Sequence, residues 1–226
     1  MIATLFDCDG TLFSAQFGRG LIECAKTKGR KGTVRAYYLS LLVPYLLITS
    51  KLITQETFSR KLIANLAWFI KGWDDKEAQA AFTWLVHDYL LPTQRTDMVK
   101  RLHAHQAKGH KIVLVSAQFL PSLKILGEHF NVDGVIGTQV EKRADRYSGR
   151  IVPPVITGKD KNLRVREFFF ARKMEIDWDS SFAYADSITD LELFNLVGNP
   201  IAVYPDARLH AIAQTNNWEV IGSPKG

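Results

Sequence analysis

The sequence predicts an α/β protein: a doubly wound, parallel sheet carrying an inserted block of helices. Three observations predict it. Short apolar runs ("IATLF", "KIVLVSA", "GVIGTQV", "SFAYADS", "PIAVY" and "WEVI") recur along the chain, with stretches of helical periodicity between them. Strands alternating with helices imply right-handed crossovers and a parallel sheet covered on both faces. Between the first run and the second lies a long segment, residues 14–92, whose texture is helical throughout. The 226 residues accommodate one such domain with a subdomain inserted in it. The expected organisation is a core of residues 1–13 and 93–226 and a helical unit of 14–92. That unit would sit above the C-terminal strand ends, where open α/β sheets bind ligands.

Taken in order, Ile2 to Phe6 form the first strand and "DCDGT" the turn that follows it. From about Ser14 to Pro92 apolar positions recur three and four apart. In "TQETFSRKLIANLAWFI", Phe58, Leu62, Leu66 and Phe69 share one face. After Pro92, "DMVKRLHAHQAKGH" reads as a helix closed by Gly109, and "KIVLVSA" as a buried strand. "SLKILGEHF" is helix, "GVIGTQV" strand, "EKRADRYSGRIV" a polar hairpin excursion and "KNLRVREFFFARK" helix. The strand "SFAYADS" leads to "TDLELFNLV", a helix ending near Gly198, where Thr189 as N-cap and Glu192 three residues later predict a capping box. "PIAVY", "DARLHAIAQTNN" and "WEVI" close the chain as strand, helix and strand.

Composition narrows the chemistry without choosing it. The 46% hydrophobic and 23% charged fractions are those of a folded globular protein. A net charge of +6 favours an anionic partner: phosphate ester, nucleic acid or acidic membrane. The two cysteines, Cys8 and Cys24, exclude a disulfide framework and a Cys-rich zinc site and fit a reducing cytoplasm, the expected location. No signal peptide is read at the N-terminus. The longest uncharged run, Ala36 to Ser50, is shorter than a spanning helix needs, and Pro44 is expected to interrupt it. The histidines show no metal-ligand spacing; His103 and His105, two apart on a helix, face different sides.

In a parallel sheet, strand-end residues meet at one edge however far apart they lie in the chain. Asp7 and Asp9 follow the first strand, Ser116 ends "IVLV", Lys161 follows the hairpin, and Asp186 and Asp190 follow "FAYA". Two carboxylates one residue apart repel each other unless a cation or a proton holds them together. Acidic groups, a lysine and a hydroxyl around a crevice suit a hard cation plus a phosphate. Mg²⁺ takes oxygen ligands, commonly one or two carboxylates with phosphate oxygens.

These residues carry a resemblance. "DCDGT", the serine after a hydrophobic strand, "GKDK" and "ADSITD" resemble, in order, the four motifs of the haloacid dehalogenase-like phosphohydrolase superfamily. The match runs from residue 2 to about 205, and the insertion between the first two motifs resembles the helical cap of the phosphoserine phosphatase-like branch. The resemblance implies a Rossmann-like core and Mg²⁺-dependent hydrolysis of a small phosphorylated metabolite through an aspartyl-phosphate. Asp7 would be the nucleophile. Asp9 would be the general acid toward the leaving alkoxide and then the base toward water, so that two easier steps replace one hard displacement. The dehalogenases of the superfamily lack an acid at that second position.

The resemblance further implies that Gly10, Thr11, Ser116 and Ala117 bind substrate, Thr11 at the phosphate or the nucleophile and Ser116 as donor to a phosphoryl oxygen. Lys161 would neutralise charge on the phosphoryl group and the nucleophile. Asp186 would bind Mg²⁺ together with the Asp7 carboxylate and the Asp9 backbone carbonyl. Asp190, one helical turn on, would orient Lys161 or water on the metal. Ala185 departs from the glycine usual before the fourth-motif aspartate. The third-motif lysine is open between Lys159 and Lys161; Gly158, three residues before, favours Lys161.

Competing signals are weaker. A calcium loop starting at Asp7 wants Gly and Glu where the chain has Leu12 and Gly18. Cys24 and Arg30 match Cys-x5-Arg spacing, but no glycine-rich phosphate cradle lies between them. Basic residues are spread over many segments without a recognition motif, so no nucleic acid is expected. A binder without turnover would have no need of Asp9. At the position where phosphoserine phosphatases hold the substrate ammonium with an acid the chain has Gln16, with Glu23 the nearest acid, which argues against phosphoserine itself. The stretch "KTKGRKGTVR" running into "AYYLSLLVPYLLITS" has two readings: a solvated loop before a buried cap helix, or a basic, apolar face that meets an acidic membrane or a lipid-like phosphate ester.

Overall fold

The computed structural model describes residues 1–224; the last two residues of the expected core segment lie outside that range. Strand β1 (Ala3–Phe6) is followed by four helices, α1 (Phe17–Thr27), α2 (Lys31–Thr49), α3 (Gln55–Leu66) and α4 (Asp75–Trp84). Helix α5 (Thr96–Ala107) returns the chain to strand β2 (Lys111–Phe119), helix α6 (Leu120–His129) and the hairpin β3 (Gly134–Arg143) and β4 (Arg146–Val152). Then come α7 (Lys159–Ala171), β5 (Phe182–Ala185), α8 (Leu191–Phe194), β6 (Asn199–Val203), α9 (Ala207–Thr215) and β7 (Glu219–Ile221).

The described strands form one seven-stranded sheet in the order β4-β3-β2-β1-β5-β6-β7. Its pairings are parallel except β3 with β4, where the polar excursion folds back as an antiparallel edge. The central strands are apolar on both faces because both faces are covered. Ala3 and Leu5 of β1 pack with Val113, Ala183, Val165 and Leu209 on one side. Phe6, the next residue, packs with Leu102, Leu114, Leu126 and Tyr184 on the other. The four inserted helices have a cluster of their own, including Leu21, Tyr37, Phe69 and Phe82, into which Phe119 and Tyr147 reach from the sheet side.

Four local expectations are revised. Pro44 does not interrupt the apolar run: α2 continues through it, at the cost of one backbone hydrogen bond. That helix is also not buried, since of its residues only Val34 and Tyr37 are fully enclosed. The helix at "TDLELF" has no capping box on Thr189. Ser187, in extended conformation, caps the short 3-10 turn Ile188–Asp190 and accepts from the Thr189 N–H at 3.3 Å; α8 follows as a single turn whose N-cap residue is Asp190. Strand β2 runs on past Ala117 to Phe119, with an irregularity between Val115 and Phe119 that shifts its register on β3. Bulges of this kind re-aim side chains at the end of a strand, here around Ser116.

Candidate active site

Register sets the site. Phe6 lies opposite Leu114 of β2 and Tyr184 of β5, so three strands end together, and the Asp7 N–H donates to the Tyr184 carbonyl at 2.9 Å. Strand alternation continues into the turn: Cys8 points into the hydrophobic core. Burial pushes its thiol well up, so it stays protonated beside two carboxylates. Gly10 adopts φ +83°, which a side chain would resist, and its N–H donates to the Phe13 carbonyl at 2.8 Å to close the turn.

Asp7, Thr11, Ser116, Lys161, Asp186 and Asp190 are all buried. The Lys161 ammonium lies 2.6 Å from Asp7 Oδ1 and 2.5 Å from Asp190 Oδ1. Burial alone would lower its pKa, but Asp190 and Asp7 more than offset that and keep the lysine charged. Lys159 is exposed, so the third-motif lysine that reaches the cluster is Lys161. Gly158 before it has φ +52° and ψ −126°, a conformation suited to glycine, and there the chain turns into α7. The Thr11 hydroxyl is within reach of Asp7 Oδ2 at 3.3 Å and Asp186 Oδ1 at 3.4 Å. Ser116 Oγ accepts from the Gln118 N–H at 3.3 Å, while the Ala117 carbonyl accepts from Thr138.

Asp9 stands apart from this cluster. Its two carboxylate oxygens each lie 3.1 Å from the N–H of Phe17, at the N-terminus of α1, and Gln118 Nε2 donates to Oδ1 at 2.6 Å. Burial first, then the neighbouring Asp7, push its carboxyl up to about 7, against these hydrogen bonds. It can therefore both give and take a proton near neutrality. Gln118 was not foreseen, although it follows Ser116 by two residues along the same strand. Its Nε2 is used while its buried Oε1 has no partner among the described groups.

Asp7, Asp186 and Asp190 each present an oxygen, and the three oxygens lie within 4.8 Å of one another. Lys161 balances part of their charge, and burial pushes the Asp190 carboxyl up while Lys161 opposes it. Three buried carboxylate oxygens with surplus negative charge fit a hard divalent cation. The Asp9 carboxylate belongs to a different set of contacts, so its expected metal role rests on its backbone carbonyl alone. Cys24 of the Cys-x5-Arg match is buried in the helical cluster, and Arg30 is spent on the Lys71 carbonyl and the face of Trp73.

The family match spans the segment that carries these residues. A sequence profile described as "haloacid dehalogenase-like hydrolase" matches residues 4–195. A protein of Streptomyces azureus named for inhibition of morphological differentiation is 26% identical over 161 residues, 71% of this chain, which span 57% of that protein's length. A phosphoserine phosphatase of Mycobacterium tuberculosis is 26% identical, with 96% of this chain and 70% of its own covered. A histidinol-phosphatase of Neisseria meningitidis is 24% identical, with 96% of each covered. Among solved structures, a Bordetella pertussis protein of unknown function superposes with a TM-score of 0.81 at 26% identity, covering 97% of both chains.

Proposed function

Because the chain belongs to the haloacid dehalogenase-like hydrolase family, we propose that it hydrolyses small phosphomonoesters in the cytoplasm through an aspartyl-phosphate formed on Asp7. The observation that carries this reading is a pair of aspartates with opposed surroundings. Asp7 is held at Oδ1 by the charged Lys161. Asp9, two residues on, has its carboxyl near 7. A nucleophile must stay ionised and a general acid must keep a proton, and neighbouring carboxyls with separated environments meet both needs.

In this reading the Asp7 carboxylate attacks phosphorus, the P–O bond to the alcohol breaks, and Asp9 delivers its proton to the departing oxygen. In the second half Asp9 takes a proton from water as that water attacks the acyl phosphate, freeing inorganic phosphate and restoring Asp7. Lys161 neutralises charge on the nucleophile and the phosphoryl group throughout, held in place by Asp190. Thr11 keeps Asp7 and Asp186 oriented; Ser116, with Gly10 and Ala117 as backbone neighbours, serves the phosphoryl oxygens. Asp7, Asp186 and the Asp9 carbonyl, with Asp190 in reach, would hold Mg²⁺, which when bound would supply positive charge at the phosphoryl oxygens. The helical segment 14–92 acts as the cap that closes the site from water.

Support for the substrate class comes from the phosphatase names of the relatives. Gln16 carries a neutral amide and Glu23 is paired with Lys26, so neither offers a free carboxylate to a substrate ammonium, and phosphoserine is disfavoured. A lipid-type phosphate ester is the second reading, favoured by the exposed apolar side chains of α2. The test is turnover of p-nitrophenyl phosphate with and without Mg²⁺, by the native chain and by Asp7→Asn. The variant is expected to lose at least about a thousandfold in kcat. Hydrolysis surviving in Asp7→Asn refutes the covalent route. A panel of amino-acid, sugar, nucleotide and lipid-type esters then ranks substrates.

A further inference from the structure

The exposed side of α2 carries none of the residues that perform the hydrolysis proposed above. Tyr38, Leu39, Leu42, Val43, Tyr45 and Leu46 are each more than half exposed. A helix apolar around most of its girth is ordinarily enclosed on all sides. Here only Val34 and Tyr37 are fully buried, against α3 and the 67–70 turn.

Charge indicates what covers the rest. Residues 24–55 contain no Asp or Glu and six basic residues: Lys26, Lys28, Arg30, Lys31, Arg35 and Lys51. Lys31 and Arg35 continue the stripe of Leu39, Leu42 and Leu46 at helical spacing, and Lys51 lies just past the other end. These three are exposed and form no ion pair among the described residues. A second copy of the chain is a poor partner. Parallel or antiparallel about a two-fold axis, α2 on α2 sets cation against cation with no acid in the segment to offset them. An anionic lipid surface meets both features, taking the apolar stripe at its acyl boundary and the cations at its phosphates. No helix among the described residues is long and apolar enough to cross a membrane, so α2 would lie along the surface.

We propose that this face docks the protein on anionic bilayers, with α2 in the membrane plane, Tyr38 and Tyr45 at headgroup depth, and Lys31, Arg35 and Lys51 on the lipid phosphates. The contact needs no catalysis, so Asp7→Asn should bind as the native chain does, and failure of the hydrolytic reading would leave this one standing.

The experiment is co-sedimentation of the full chain with vesicles of phosphatidylcholine alone or mixed with phosphatidylglycerol. The thermal unfolding transition and turnover of a soluble ester are measured on the same samples, the first as a check that each variant is folded. The native chain is expected to pellet with the mixed vesicles only and to be released by high salt, a readout that needs no variant. The double variants Leu42→Asp/Leu46→Asp and Lys31→Glu/Arg35→Glu should keep turnover and each lose about thirtyfold or more in partitioning. A native chain that stays in the supernatant with the mixed vesicles overturns the proposal. So does binding indifferent to Leu42→Asp/Leu46→Asp. A dimer that the same variant dissolves, without vesicle binding, would assign the face to a second copy instead.

Discussion

A carboxyl held near neutrality needs opposing influences, and Asp9 has them at atomic distance. Burial and Asp7 favour its protonated form, while Gln118 and the Phe17 N–H favour its charged form. In the proposed chemistry the general acid must carry a proton, so the first step weakens as pH rises through about 7. Replacing Gln118 by Leu removes a donor to the charged carboxylate, which raises the Asp9 pKa further. The alkaline limb of kcat against pH is therefore expected to move to higher pH in Gln118→Leu, with loss of rate at low pH where Asp9 must act as base. A limb that stays in place would take Gln118 out of the site. Asp9 was visible from its position two residues after Asp7; its partner was not, because a glutamine near the end of a strand carries no motif.

At the scale of elements, two polar ties join the inserted helices to the sheet besides the contact of α1 with Asp9. The first is the hairpin: the Gly72 N–H donates to the Tyr147 carbonyl at 2.7 Å, and the Tyr147 N–H to the Trp73 carbonyl at 2.9 Å. The second lies beside the site. Arg60 of α3 pairs with Glu56 and with Asp160 of α7, and reaches the carbonyls of Val155 and Thr157. This clamp grips the loop that leads through Gly158 to Lys161, so α3 is in direct contact with the segment that carries the lysine. The pair is partly exposed, so its loss should cost about 1 kcal/mol and lower Tm by about 2–4 °C. Arg60→Met is expected to raise KM several-fold with a smaller change in kcat. Unchanged KM and Tm would show that the clamp is slack. The strands themselves were legible because apolar runs of four to seven residues between turn residues have few other uses. Helix ends were less so. Thr189 satisfied the local capping pattern, but it lies inside a 3-10 turn capped by Ser187, and α8 begins only after Asp190.

At the scale of the whole molecule, stability should depend on pH through a buried histidine remote from the proposed chemistry. His105 is nearly enclosed between α5 and the sheet, with Nε2 2.9 Å from the Tyr184 hydroxyl and Nδ1 2.9 Å from His110 Nδ1. Burial, then His110 and nearby cations, lower its pKa from 6.5 to about 4. Between those values the unfolded chain takes up a proton that the folded protein refuses, so stability falls as pH drops from about 6.5 toward 4. The loss reaches about 3 kcal/mol across that window. Urea unfolding at several pH values should show this slope, flattened in His105→Gln; an equal slope in the variant would place the effect elsewhere.

Local chemistry by itself determined the order of strands and helices, the turn at Gly10 and the identity of the groups at strand ends, since these depend on neighbours a few residues away. Only the tertiary structure decided the rest. Sheet register brought Lys161 to Asp7 across 154 residues. A bulge in β2 and the start of α1 gave Asp9 its partners, and the shape of the helical unit left α2 uncovered. Those outcomes depend on which surfaces are buried against which, and burial is a property of the assembled chain that no short stretch of it contains.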